Sequence, residues 1–344
     1  MGALTPAFMF DLESNMRQIT SNEFERLKEE TWWQQVAKRM DSQSKKERLT
    51  WLLDTAQIRR PNNATGGGQA VFEDLVGLST EYENENAHAG LRLKKEQLED
   101  LDGNGVQLAT HWSRGIAAKA VYWPQQVISD AIKANPVTYD GVAFFHGSHP
   151  VNPYDVGAGT YANLFTGSAS GAYPGALPIS GNTVEVAFAN LAKAVAYMGA
   201  LKMPDGKTPR KLRIKGLLVP PALMARAVQL CSAETLVQSA ASGALTGDVR
   251  GVLKYMAMGL PIMAEELGAA FGGSDTSYYF IVEDITSNEL GAFTYVERES
   301  FNVIYHGPMT DAELAKHRFF EWLLEGRNVV GAGHPYLLFR ADAT

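Results

Sequence analysis

Between Gly105 and Ala134 the apolar residues Val106, Ala109, Trp112, Ile116, Ala120, Trp123, Val127 and Ala131 recur at steps of three and four. On a 3.6-residue helix these positions share one stripe, so 105–134 is predicted as a single long amphipathic helix. Asp102 or Asn104 can cap its first free N–H groups, and Asn135, kept out of the α region by Pro136, ends it. At ~1.5 Å per residue the helix is on the order of 45 Å long, the proportions of a brace. Pro124 removes one i to i−4 hydrogen bond inside it, so a kink or a break is expected there. The plainer alternative is a pair of shorter core helices split at that residue.

Upstream, Leu12, Met16, Ile19, Phe24, Leu27 and Trp32 keep roughly helical spacing with charges between them. Residues 11–40 are therefore predicted helical, too long and too polar-sided for a small core, and are expected to reach over another surface as an arm. Neighbouring Trp32 and Trp33 point about 100° apart on a helix, so one of them should meet a second surface. From Leu49 the texture is extended. Segments 50–58 and 69–80, separated by an Asn- and Gly-rich stretch at 59–68, predict a projecting hairpin, and a third extended segment, 81–93, leads toward the long helix. Gly66, Gly67 and Gly68 do not form a phosphate loop, because no Gly-Lys-Ser/Thr follows.

Beyond the helix, Tyr139-Asp140-Gly141 signals a turn before the aromatic pair Phe144-Phe145, and 151–181 is a long irregular loop rich in Gly, Pro, Ser and Asn. An α/β portion follows. It comprises a helix at Val184–Gly199, a strand at Leu212–Val219, a helix opened by Pro220-Pro221 through Leu230, and extended segments at 251–265 and 278–282. Residues 291–304 and 328–339 read as extended and 311–324 as helical or mixed.

Composition adds bounds. With 344 residues, 45% apolar and 20% charged, the chain is a globular protein of two domains or one large one. Cys231 is the only cysteine, which rules out an intrachain disulfide and suits a reducing compartment. No basic leader precedes the apolar start and no run reaches the roughly 18 apolar residues of a membrane span, so a cytoplasmic, membrane-free setting is expected. A net charge of −7 argues against a dedicated duplex-DNA binder. The basic cluster Lys38, Arg39, Lys45, Lys46 and Arg48 has no interleaved aromatics and reads as a solvated linker.

Candidate chemistry is sparse. His146 and His149, three residues apart with Asp140 and Asp155 nearby, are the best metal candidates, but a third ligand must be assumed and the Glu of a His-Glu-x-x-His motif is absent. The plainer role for these histidines is hydrogen bonding to the turn. Cys231 has no identified base, Ser148 beside His149 makes no triad, and Glu265-Glu266 and Glu283-Asp284 read as solvated edges or salt-bridge partners. No catalytic, cofactor or metal residue is assigned.

Several stretches, taken in order, resemble the Mu-like phage major head subunit family, whose members adopt the HK97-type capsid fold. They are Thr50-Trp51-Leu52-Leu53 followed by Arg59; Leu91 to Gly105 with Arg92, Glu99, Asp100, Asp102 and Gly103; Tyr139-Asp140-Gly141 through Phe144-Phe145 to His149-Pro150; and Asp205-Gly206-Lys207 followed by Lys215-Gly216-Leu217-Leu218-Val219-Pro220-Pro221. The resemblance implies an α+β, HK97-like chain with an N-terminal arm (1–48), an extended β-hairpin loop or E-loop (49–93) and a peripheral domain (94–183) built on the spine helix 105–134. It also implies an axial domain (184–290) and a return to the peripheral domain (291–344). The implied function is that of a major capsid protein, a non-enzymatic structural protein. Copies would self-assemble as hexamers and pentamers into the icosahedral head of a tailed phage around double-stranded DNA. Portal and possibly scaffold or decoration proteins would be partners, with assembly in the host cytoplasm and residence in the virion. The alternatives are an encapsulin-like compartment shell with a protein cargo and, from another class, a metal-dependent enzyme using His146, His149 and Asp140. The arm and hairpin, with few partners of their own, are expected to order mainly on a neighbouring subunit.

Overall fold

A computed structural model describes residues 5–53, 76–99, 104–181, 183–232, 235–240, 243–248, 259–286, 291–308, 310–316 and 318–342. In chain order the helices are α1 (Pro6–Leu27), α2 (Lys95–Glu99), α3 (Asn104–Ala134), α4 (Val184–Gly199), α5 (Pro221–Cys231) and α6 (Asp311–Lys316). The first strands are β1 (Ala37–Asp41), β2 (Lys46–Leu53), β3 (Val76–Glu83) and β4 (Glu85–Lys94). Short β5 (His149–Pro150), β6 (Thr160–Tyr161) and β7 (Leu164–Phe165) follow α3. The remainder are β8 (Leu212–Val219), β9 (Thr235–Ala240), β10 (Gly243–Asp248), β11 (Ile262–Met263), β12 (Ser277–Asp284), β13 (Phe293–His306), β14 (Phe319–Ala332) and β15 (Leu338–Asp342).

The long helix is present and runs unbroken through Pro124, so the two-helix alternative is overturned. It ends as expected: Asn135 turns to φ 50° ahead of Pro136, and its N–H still reaches the Ala131 carbonyl at 3.1 Å. The buried stripe is rotated from the one read off hydropathy. Ala109, Ile116 and Ala120 are buried, but Trp112, Trp123, Val127 and Ala131 are only half-buried, while Ser113, Ala117, Ile128, Ser129 and Ile132 are inside. The two serines are compatible with burial because each hydroxyl donates to a carbonyl one turn back, Ser113 to Ala109 at 2.9 Å and Ser129 to Gln125 at 2.8 Å.

Helix α1 begins at a Thr5 cap whose Oγ1 accepts the Phe8 N–H. It packs on α3, with Met9, Leu12 and Met16 buried in one cluster with Ala109, Ile116, Ala120, Phe320 and Trp322. The expectation that residues 11–40 lack partners in their own chain is therefore corrected. Positions 9, 12 and 16 form a stripe that meets the small residues of α3, which allow close approach. Trp32 and Trp33 are both buried in a second cluster, alongside Ile128, Ile132 and Phe293.

Two sheets organise the rest. In the first, of order β1-β13-β14-β4, β13 and β14 form a long antiparallel ribbon, β1 joins in parallel and β4 flanks the far edge. The segment 311–324 thus divides into a short helix and the start of a strand. The second sheet has the order β11-β8-β12-β15-β7. Along β12 the side chains alternate: Tyr278, Phe280 and Val282 face a core shared with Leu191 of α4 and Leu223 and Ala227 of α5, while Tyr279 and Ile281 face Ile128 and Ile132 of α3. One end of the long helix thereby lies under the α/β portion, and its other end lies under the first sheet. Among the described residues, strands β2 and β3 pair only with each other, from Lys46↔Glu83 to Leu53↔Val76; the expected hairpin tip, 59–68, lies outside the described residues.

Candidate functional site

Asp140 and His149 do come together, but as a structural clamp. His149 is fully buried, its Nδ1 lies 2.6 Å from Asp140 Oδ2, and its Nε2 lies 3.0 Å from the Phe144 carbonyl. Neither nitrogen is open to a metal. Asp140 also accepts the Thr138 hydroxyl and the Val142 N–H, closing the turn at Gly141. Burial pushes the Asp140 carboxyl up, but the hydrogen bonds from His149 and Thr138 outweigh it and hold the group below its ordinary value. His146 is exposed and its Nδ1 accepts the Ser148 N–H, so the histidine pair does not converge on one point. Asp155 accepts the Gly157 N–H in its own loop. His146, His149 and Asp140 are thus engaged with the turn and their own loop rather than gathered around one point.

The remaining candidates are likewise tied into the frame. Glu266 accepts the Gln125 amide at 2.6 Å, and Asp284 is buried and accepts both the N–H and hydroxyl of Thr286. Burial pushes the Cys231 thiol up to about 11, far from a reactive thiolate. The 151–181 segment, irregular as expected, is stapled. The Tyr173 hydroxyl donates between the Thr166 and Leu164 carbonyls, at 2.6 and 2.9 Å, and the Asn163 amide reaches the Phe144 and Pro335 carbonyls.

What the structure does build with care is the root of the β2–β3 pair. Ser42 and Ser44 donate to Glu47 Oε1 at 2.7 and 2.5 Å, and the buried Asn84 amide donates to Ser42 Oγ and the Ser44 carbonyl, both at 2.9 Å. This knot joins the end of β1 to the start of β2 and to the β3–β4 junction. The basic cluster belongs here too, and the linker reading is corrected. Arg39 pairs with Glu297 across β1–β13, while Lys45 and Lys46 pair with Glu83 and Glu81 across β2–β3, at 2.7 to 2.9 Å. Alternating opposite charges on an edge ladder set its register at little cost in solubility. Exposed large apolar side chains include Phe10 on α1, Leu260 beside β11, Phe271 beyond it and Ile285 after β12. Among the described residues no helix is long and apolar enough to cross a membrane.

Residues 11–174 match the family Mu-like prophage major head subunit gpT. No curated protein matches the chain. Among solved structures, the procapsid of bacteriophage JBD30 is 13% identical and aligns over 98% of this chain and 76% of its own, with a TM-score of 0.53. The virus-like particle from Pyrococcus furiosus (10% identity, 95% of this chain and 98% of that one, TM-score 0.47) and the mature capsid of bacteriophage PhiM1 (12%, 91% and 86%, TM-score 0.48) are also similar. Over residues 11–174 this chain is similar to the Mu-like major head subunit family, and its fold is the HK97-type fold shared with the JBD30 procapsid.

Proposed function

We propose that many copies of this chain close into the icosahedral head shell of a tailed double-stranded DNA phage, grouped as hexamers and pentamers. The observation that carries the reading is the agreement of family and fold: a head-subunit match over 11–174 and a procapsid fold spanning 98% of the chain. The architecture supplies the physical means. A shell subunit must meet many neighbours, and long elements accumulate interface area by overlap without enlarging any one core. Here α3 is the rigid brace, the β13–β14 ribbon is the long sheet beside it, and β2–β3 is a two-stranded pair of the kind that is marginal alone in water and gains from lying on another surface.

In this reading 1–48 is the arm, 49–93 the E-loop, 94–183 and 291–344 the peripheral domain, and 184–290 the axial domain. Because α1 lies on its own spine helix, only its outer face, with Phe10 70% exposed, is left for a neighbour. The acidic chain contains DNA without gripping it, since packed DNA is neutralised largely by small cations. Portal and scaffold or decoration proteins complete the head, which assembles in the host cytoplasm. Light scattering on the purified chain, with analysis of what the particles enclose, tests this. Megadalton particles that package DNA in the phage context support it, an enzyme cargo would favour the encapsulin-like alternative, and a persistent monomer would overturn both.

A further inference from the structure

A cavity of about 60 Å³ lies where the β2–β3 root meets the end of the second sheet, lined among others by Trp51, Tyr139, Tyr161, Lys202, Arg210 and His334. That is several times the roughly 10–15 Å³ that a single water needs. Its lining is charged in one sense only: Arg210 and Lys202 contribute two cations and no carboxylate, in a chain that is acidic overall. The Arg210 guanidinium lies 3.6 Å from the centre of the Tyr336 ring, which fixes its plane, and no carboxylate pairs with it among the described residues.

The polar groups around this cavity are short of partners. Arg210 Nη1, Trp51 Nε1 and both ring nitrogens of His334 are buried with no hydrogen-bond partner among the described residues. His334 is 7% exposed and is held in place by rings on several sides, Trp51 at 4.5 Å, Tyr336 at 5.0 Å and Tyr139 at 5.5 Å between centres. Buried donors are almost always satisfied, and a buried guanidinium nitrogen such as Arg210 Nη1 is among the most demanding of them. Water alone would fill the hydrogen bonds but bring no negative charge to a lining that holds two cations and no carboxylate.

We propose that this cavity binds a small inorganic oxyanion of the phosphate class, held by Arg210 with donors from His334 and Trp51 and with Lys202 at the mouth. Burial keeps Tyr139 and Tyr161 as neutral phenols, which suits them to border an anion. The ligand would tie Trp51 of β2 to Arg210, which leads into β8, stiffening the loop root against the α/β portion. The inference does not depend on the shell reading.

The test is isothermal titration of the full chain with inorganic phosphate at constant ionic strength. One saturable phosphate per chain is expected. Arg210→Gln should weaken it by at least about tenfold. His334→Phe, which keeps the ring packing and removes both nitrogens, should weaken it several-fold, as should Lys202→Gln at an exposed position that leaves folding intact. Should Arg210→Gln not fold, the other two variants decide. No saturable binding up to about 10 mM, or binding unchanged in His334→Phe and Lys202→Gln, would overturn the proposal.

Discussion

The Tyr82 hydroxyl accepts the Ala332 N–H at 3.0 Å and donates to the Ala332 carbonyl at 3.2 Å, so one side chain fastens β3 to the end of β14. Its ring lies over Gly331, where a Cβ would come within 2.7 Å of it. Glycine is required there by that close approach, and the phenol bridges what no ladder of backbone bonds joins.

Tyr82→Phe keeps the ring and removes both hydrogen bonds, leaving the buried Ala332 N–H unpaired. We expect a loss of about 1–3 kcal/mol in urea unfolding of the subunit. Gly331→Ala should displace the same ring and loosen the loop root without touching the spine helix. Unchanged stability in both variants would mean that Tyr82 does not anchor the pair.

The Asp140–His149 contact predicts a pH dependence. A carboxyl held below its ordinary value contributes stability that is present above the unfolded value of about 3.9 and is lost as pH falls through the lowered folded value. Asp140→Asn should therefore cost about 1–3 kcal/mol near neutral pH, the scale of hydrogen bonds to a charged group. Its difference from the wild type should shrink below about pH 4. A difference that is flat with pH would show that the charge on Asp140 does not matter to the clamp.

Helix α1 is part of the subunit's own core. Met16→Ala empties a fully buried site between α1 and the spine helix and should cost about 2–5 kcal/mol. Removing residues 1–30 should lower the melting temperature of the isolated subunit and yield aggregation. A truncated subunit with normal melting would instead return α1 to the role of a free arm.

Much of this was legible in the chain because local rules and the fold agree. Val184–Gly199 and Leu212–Val219 form as read, since helical and strand periods are unambiguous there and Pro220-Pro221 marks the boundary between strand and helix. The face of α3 was misread because Ser113, Gln125 and Ser129 count as polar in a hydropathy pattern, although the serine hydroxyls are satisfied inside their own helix and Gln125 bonds the Trp32 N–H and Glu266. The burial of α1 was missed because its partner stripe lies some 100 residues along the chain, and no local signal records that distance. The same reason hid the cavity: Trp51, Arg210 and His334 are brought together only by the sheets. At His149 the short-range reading of a turn-bonding histidine proved the better one, since Asp140 lies nine residues away at the turn it closes.

Electron cryomicroscopy of the particles formed when the full chain is expressed with its cognate head proteins shows whether the chain builds a shell. Closed icosahedral shells of hexamers and pentamers are expected. In each subunit α3 should form the spine, and the β2–β3 pair should lie across an adjacent copy. Only monomers or small open oligomers, or closed shells in which β2–β3 folds back on its own subunit, would contradict that expectation.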